Sequence, residues 1–335
     1  MTDYHSQISI DLQKGRAGLA ISAFVLVFFI AGSACICAAS LSMDHEAKIA
    51  YNVRGMRVPQ WAGGALVAFD SNRTSTPVLL SFDDQGNQFQ AIPFTIPNAE
   101  MIDLDDITRG LDGSLAICGK AFDHSGSGSG FVAVIGANAD KVTTVRLYPY
   151  EPVRIAIGSD GTIWTVGLMV VNGKEGGPAN SSDYDVIRHF DRSGKLLDSF
   201  VPRSSIGSHF AVQNSRLRSA SGRIGWYPGP SSGASSRFRE IRSDGTVRIF
   251  PAILLAESES ITGLALTDDG KTYVTTWNKT NHGWQFLSTN SPDNQWTQES
   301  APPQLTKARL FGSDGSRLVF YTYDRFTLAF VTVSH

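Results

Sequence analysis

Val153-Arg-Ile-Ala-Ile-Gly-Ser-Asp-Gly161-Thr-Ile-Trp-Thr-Val-Gly-Leu168 places two short apolar runs on either side of an Asp-Gly pair. The chain then does the same again, with Val186-Ile-Arg-His-Phe190, a turn at Asp191-Arg-Ser-Gly194, and Leu196-Leu-Asp-Ser-Phe200. The glycines supply the positive-φ positions that tight hairpins require, and the runs are rich in β-branched and aromatic residues, so the stretch reads as four antiparallel strands. Outward from it, the same alternation recurs along residues 61–335. One series of turns is Gly63-Gly64, Asp112-Gly113, Asp160-Gly161, Ser221-Gly222, Asp269-Gly270 and Asp314-Gly315. The interleaved series is Asp84-Gln-Gly86, Asn138-Ala-Asp140, Asp191-Arg-Ser-Gly194, Asp244-Gly245 and Asp293-Asn294. A period of about 45 residues with two hairpin turns in each is the signature of a propeller blade.

The units run at 58–96, 102–149, 152–202, 208–251, 260–299 and 307–335, which predicts an all-β, six-bladed β-propeller. The sixth supplies only three strands, at 307–312, 317–323 and 326–333, and would leave a polar backbone edge unpaired. Residues 47–56, with the run Lys48-Ile-Ala-Tyr-Asn-Val53, are expected to provide the closing outer strand, so that the propeller spans 47–335. Seven blades with one degenerate unit is the alternative.

Residues 17–41, AGLAISAFVLVFFIAGSACICAASL, carry no charge and are long enough to cross a hydrocarbon core as a helix. Lys14 and Arg16 precede them and Asp44 and Glu46 follow. This predicts a cytoplasmic tail at 1–16, a single N-terminal transmembrane helix acting as a signal anchor, and a propeller outside the cytoplasm, periplasmic or extracellular. The alternative is secretion after cleavage near Ala38-Ala39-Ser40, although the apolar stretch exceeds that of a usual signal peptide. Two of the three cysteines lie in this segment, and Cys118 reads as a small buried hydrophobe. With 18% charged residues and a formal net charge of -2, the chain has no basic field for nucleic acid.

The stretch 152–167 resembles the inner two strands of NHL-type and gluconolactonase-like six-bladed propellers, and 186–200 resembles their outer pair. Glu240-Ile-Arg-Ser-Asp-Gly-Thr-Val247 repeats the likeness in fragment. The chain also departs from that pattern. Arg154 stands where NHL units usually carry glycine, Gly158 and Gly167 stand where aspartates are common, and Trp61-Ala-Gly-Gly64 replaces a Glu-Gly-Pro-like opening. The resemblance implies the fold, which binding modules, lactonases and lyases share, while the family's divalent-cation ligands do not carry over residue by residue.

In a blade, the turns joining strands one to two and three to four share one face, here built of tight turns. The other face carries the longer segments 71–77, 123–130, 172–183, 228–237 and 278–283, and a ligand site is expected there, around the channel. Candidates from blade links and strand starts are Asp103, Glu151, Arg154, His209, Glu257 and Glu259, with His124 and His282 from loops. Such a set suits a protein or small-molecule ligand. It would equally suit a divalent cation in a metal-assisted hydrolase or lyase. Asp105-Asp106 reads either as a paired carboxylate or as a solvated cap on its strand. Asn72, Asn180 and Asn278 begin Asn-x-Ser/Thr triplets, and the six tryptophans recur about once per blade, as wedges between blades or as a sugar-stacking platform. No Gly-x-Ser-x-Gly, His-Glu-x-x-His, phosphate-loop or dinucleotide motif is present. The expectation is a membrane-tethered binding or assembly module, with the metal-assisted enzyme and an envelope structural protein as alternatives.

Overall fold

The computed structural model describes residues 40–49, 56–176, 183–207, 210–229, 236–322 and 325–334. The chain divides into a unit of Met1–Ala38 with His335, which lies outside the described residues, and a unit of Ala39–Ser334. The second unit is six antiparallel sheets, each built on four strands. The innermost strands, from blade one to blade six, are Arg57–Ala62, Met101–Arg109, Tyr150–Ile157, Arg216–Ala220, Glu259–Leu266 and Arg309–Asp314. Each touches the next and the last touches the first, so they form a closed ring around a channel.

The strands that follow, such as Ala65–Phe69, Leu115–Phe122 and Arg317–Thr322, are almost wholly buried. Side chains alternate across a strand, so both faces of each sheet meet a neighbour and near-continuous apolar runs result. Leu66 and Ala68 pack toward blade six, whereas Val67 and Phe69 pack toward blade two. The buried apolar residues accordingly form six cores, one in each gap between blades. Cys118 is fully buried in the gap between blades two and three, where burial raises its thiol well above the usual range. The expected turns carry the backbone they need: Gly63, Gly113, Gly161, Gly222, Gly270 and Gly315 all have positive φ. At Gly63 a side chain would also strike the Gly110 carbonyl of the next blade.

The sixth sheet takes its outer strand from the start of the chain. Ser40–Lys48 pairs antiparallel with Thr327–Ser334, Ser40 opposite Ser334 and Lys48 opposite Thr327. This is upstream of the expected 48–53, most of which lies outside the described residues. The physical reason is side-chain alternation: Leu41, Met43, His45, Ala47 and Ile49 turn inward while Ser42, Asp44, Glu46 and Lys48 are exposed, and Ala47 and Ile49 join the core between blades six and one. The last two residues of the expected membrane span, Ser40 and Leu41, therefore belong to the sheet. The rest of the span lies outside the described residues, among which no helix is long and apolar enough to cross a membrane.

Candidate functional site

Five of the six inner strands break their pairing register at the same level, near the loop-rich end of the channel. The breaks fall between Arg57 and Gln60, Leu104 and Asp106, Pro152 and Arg154, Ile261 and Gly263, and Leu310 and Gly312. A bulge leaves a residue unpaired and re-aims its neighbours. The result is a cavity of 320 Å³ lined by Arg57, Asp106, Arg154, Gln213, Arg216, Arg218, Thr262 and Arg309. Five arginines thus converge from four blades around one aspartate.

Asp106 is 1% exposed and locks this rim together. Its carboxylate accepts the backbone N–H of Ile107 and, across the gap to blade three, that of Ile155, both at 3.0 Å; Gln60 Nε2 of blade one donates at 3.4 Å. Burial pushes the carboxyl up, while Arg154 and Arg218 pull it down. Burial also raises the half-buried Asp105, to about 7, against the pull of Arg154 and with a further push from Asp103.

The guanidiniums are held by backbone carbonyls. Arg154 donates to Ser215 (2.8 Å), Val153 (2.7 Å), Asp105 (3.4 Å) and Gln213. Arg216 donates to Ser215 (2.8 Å) and Asn214 (3.2 Å), and Arg218 to Leu217 (2.8 Å), with the buried Arg218 Nε lacking a partner among the described residues. None of these three forms an ion pair among the described residues. Burial and repulsion from Arg154 and Arg218 draw Arg216 down to about 9; burial draws Arg218 to about 10, against the pull of Asp106. Both remain charged at neutral pH. Carbonyl bonds position a guanidinium without neutralising it, so the rim is a preformed cationic cradle for an acidic group.

Three further cavities adjoin this mouth. One, of 190 Å³, holds Asp103, Asp105, Lys120 and Glu151 and shares Gln213 with the mouth; Lys120 Nζ lies 2.6 Å from Glu151. A second, of 410 Å³, is lined by Trp277, Trp284, Gln304, Thr306 and Lys307, and a third, of 390 Å³, by Tyr227, Glu259 and Lys279. Both share Thr262 and Arg309 with the mouth.

Of the sequence candidates, Arg154 lines the mouth, and Asp103 and Glu151 lie together one cavity away. Glu259, 6% exposed, accepts from the Thr276 hydroxyl and the Ala256 N–H. Glu257 is exposed at the strand start, His124 is exposed and pairs with Glu100, and His282 tilts against Trp277 with ring centroids 5.7 Å apart. His209 lies outside the described residues. Among the described residues no three His, Cys, Asp or Glu side chains gather as metal ligands. Asp106 is a buried latch, unlike the solvated cap considered from sequence. Asn278 is 7% exposed, with its amide donating to the Glu257 carbonyl. Sequence reasoning missed Arg57, Arg216, Arg218 and Arg309. The available signal was an arginine opening the first strand in units one, four and six.

No family profile and no curated protein sequence matches the chain. Among solved structures it is similar to a glucose dehydrogenase, with a TM-score of 0.51 and 9% identity over 88% of this chain and 100% of that one. It is also similar to the tricorn protease, with a TM-score of 0.44 and 10% identity over 73% of this chain and 26% of that one. A protein of unknown function from Bacteroides caccae gives 0.42 and 11% identity over 77% of this chain and 84% of that one. At such identities likeness speaks to architecture alone: the chain has the six-bladed β-propeller fold, which enzymes and binding proteins share.

Proposed function

We propose that this protein is a membrane-tethered, extracytoplasmic binding module whose ligand presents an acidic group to the channel mouth. The observation that carries this reading is the set of Arg154, Arg216 and Arg218, three guanidiniums oriented by carbonyls on one cavity around the single Asp106 carboxylate, none of them in an ion pair among the described residues. Ordering them before binding lowers the entropic cost of capturing an anion, and the half-enclosed position limits screening by salt. The uncharged segment 17–39 supports the tether, since its 23 residues still suffice for a hydrocarbon core once Ser40 and Leu41 are assigned to the sheet. Of the metal donors read from sequence, Asp103 and Glu151 share a cavity in which Lys120 pairs with Glu151, whereas His124 is paired with Glu100 and Glu259 is bonded to Thr276 and Ala256. The arginine rim therefore supports an anion-binding reading more directly than the metal-assisted hydrolase.

The test is a calorimetric titration of the detergent-solubilised full chain with succinate and with sulfate. Wild type should bind, with affinity falling as ionic strength rises, and Arg154→Ala or Arg216→Ala should weaken binding by about tenfold or more, which is 1.4 kcal/mol. Equal affinities in wild type and both variants would refute the site. The tether is tested by alkaline extraction of membranes: the full chain should stay with the lipid, and a chain lacking residues 1–39 should be released.

A further inference from the structure

Two observations beside the arginine rim bear on what accompanies the acidic group. Trp277 is, among the described residues, the one tryptophan of six that joins none of the cores between blades. It is half-buried and lines the 410 Å³ cavity with Trp284, its cross-strand partner, whose indole N–H is anchored to the Ala308 carbonyl at 2.9 Å. Gln304 and Thr306, which carry an amide and a hydroxyl, line the same cavity. On the other side of Thr262 and Arg309, the 390 Å³ cavity is lined by Tyr227, which is 0% exposed and whose hydroxyl has no hydrogen-bond partner among the described residues. A buried phenol normally finds an acceptor, and burial together with the nearby Glu259 charge keeps this one protonated and able to donate.

Indole planes rimmed by amide and hydroxyl groups fit a ring with an apolar C–H face and polar edges, and the unpaired phenol calls for a further oxygen acceptor. Both lie next to guanidiniums suited to carboxylates. We infer that the mouth and its two flanking cavities take an acidic oligosaccharide, with a carboxylate on the arginine rim, one pyranose against Trp277 and Trp284, and a ring oxygen or hydroxyl at Tyr227. This inference rests on the anionic reading of the mouth and adds the ligand class. An acidic peptide would supply the charge but would leave the indole face without a matching plane.

Tryptophan fluorescence and calorimetry on the solubilised full chain test it with galacturonate, trigalacturonate, the trigalacturonate methyl ester and triaspartate. Trigalacturonate should bind about tenfold or more tightly than galacturonate and quench indole emission, and esterification should remove at least that factor. Trp277→Ala should abolish the advantage of the trisaccharide while leaving galacturonate affinity unchanged, and Trp277→Phe, which keeps an aromatic plane and guards against misfolding, should retain most of it. Tyr227→Phe should weaken the trisaccharide severalfold. Equal binding of galacturonate and trigalacturonate, triaspartate binding as tightly as the trisaccharide, or an unaltered trisaccharide affinity in Trp277→Ala would overturn the saccharide and leave the anion site standing. Failure of all four probes together with succinate and sulfate would instead remove the anion site itself.

Discussion

The two ends of the channel are made of the same six strands yet treat charge in opposite ways. At the tight-turn end the cations are engaged: Arg192 pairs with Asp112 at 2.6 Å, Arg317 with Asp314, and Arg223 with the buried Glu240 at 2.8 Å while also donating to the Thr267, Gly270 and Lys271 carbonyls. Arg109 donates to the Gly63 carbonyl, and Ser219 and Ser313 close onto the Ile157 and Leu266 carbonyls. At the loop-rich end Arg154, Arg216 and Arg218 donate to carbonyls and form no ion pair among the described residues. The turn end therefore ties blades together, and on the reading proposed above the loop-rich end keeps positive charge for an acidic ligand. The contrast is one of degree: Arg109 at the turn end is also held by a carbonyl alone, and Arg218 lines the cavities at both ends.

Removing what both ends share should have the largest effect. Excision of Ser40–Lys48 strips the outer strand from blade six and uncovers its edge. Urea unfolding should show a loss of several kcal/mol or no cooperative transition, because a full ladder and the Ala47 and Ile49 packing disappear together. An unchanged midpoint would mean that the ring does not depend on this strand.

Next comes a contrast between the ends. Asp106→Ala should cost about 3–5 kcal/mol, since it strands two backbone N–H groups and leaves Arg154 and Arg218 without their nearby countercharge. Asp314→Ala, at the turn end, should cost about 1 kcal/mol or less. Denaturation curves showing equal losses would erase the distinction.

The third prediction concerns pH. Asp105 faces Arg154, Asp103, Lys120 and Asp106, and its carboxyl rises from 3.8 to about 7 in the fold. Below about pH 4 both folded and unfolded chains carry the proton and nothing is lost; between 4 and 7 the unfolded chain loses it first, so stability falls; above 7 the penalty is complete. Asp105→Asn should thus be near neutral at pH 4 and stabilising by about 2 kcal/mol at pH 8, a discounted value for a half-buried group. Wild-type affinity for succinate should also fall severalfold through pH 7, and Asp105→Asn should flatten that dependence.

The smallest effect is the control that isolates the loop-rich end. Arg109→Ala removes a guanidinium that lines the turn-end cavity of 260 Å³. Succinate affinity should stay within about twofold of wild type. A tenfold loss would place the anion at the wrong end.

The blades were legible because their signals are local. Asp160-Gly161 and Asp191-Arg-Ser-Gly194 specify hairpins within a few residues, and the observed third blade, from Tyr150–Ile157 to Leu196–Pro202, lies within two or three residues of the strands read from sequence. The closing strand was harder to place. The alternation Leu41-Ser-Met43-Asp-His45-Glu-Ala47 is present, but it abuts the apolar stretch before it and was absorbed into a span ending at Leu41. At the mouth, Arg154 was legible among the polar residues of blade links and strand starts. Arg216, Arg218 and Arg309 looked like ordinary polar residues at strand starts.

Residue order alone determined that six units repeat, how their strands turn back and which residues are apolar on both faces, because hairpin geometry and side-chain alternation are short-range. Only the tertiary structure decided that arginines far apart in sequence share one rim, that Asp106 reaches from blade two to the Ile155 N–H of blade three, and that Ser40–Lys48 seals the ring. The reason is closure. Blades set side by side bring the same level of every inner strand to one axis, and charges scattered along the chain acquire a common site when the circle is complete.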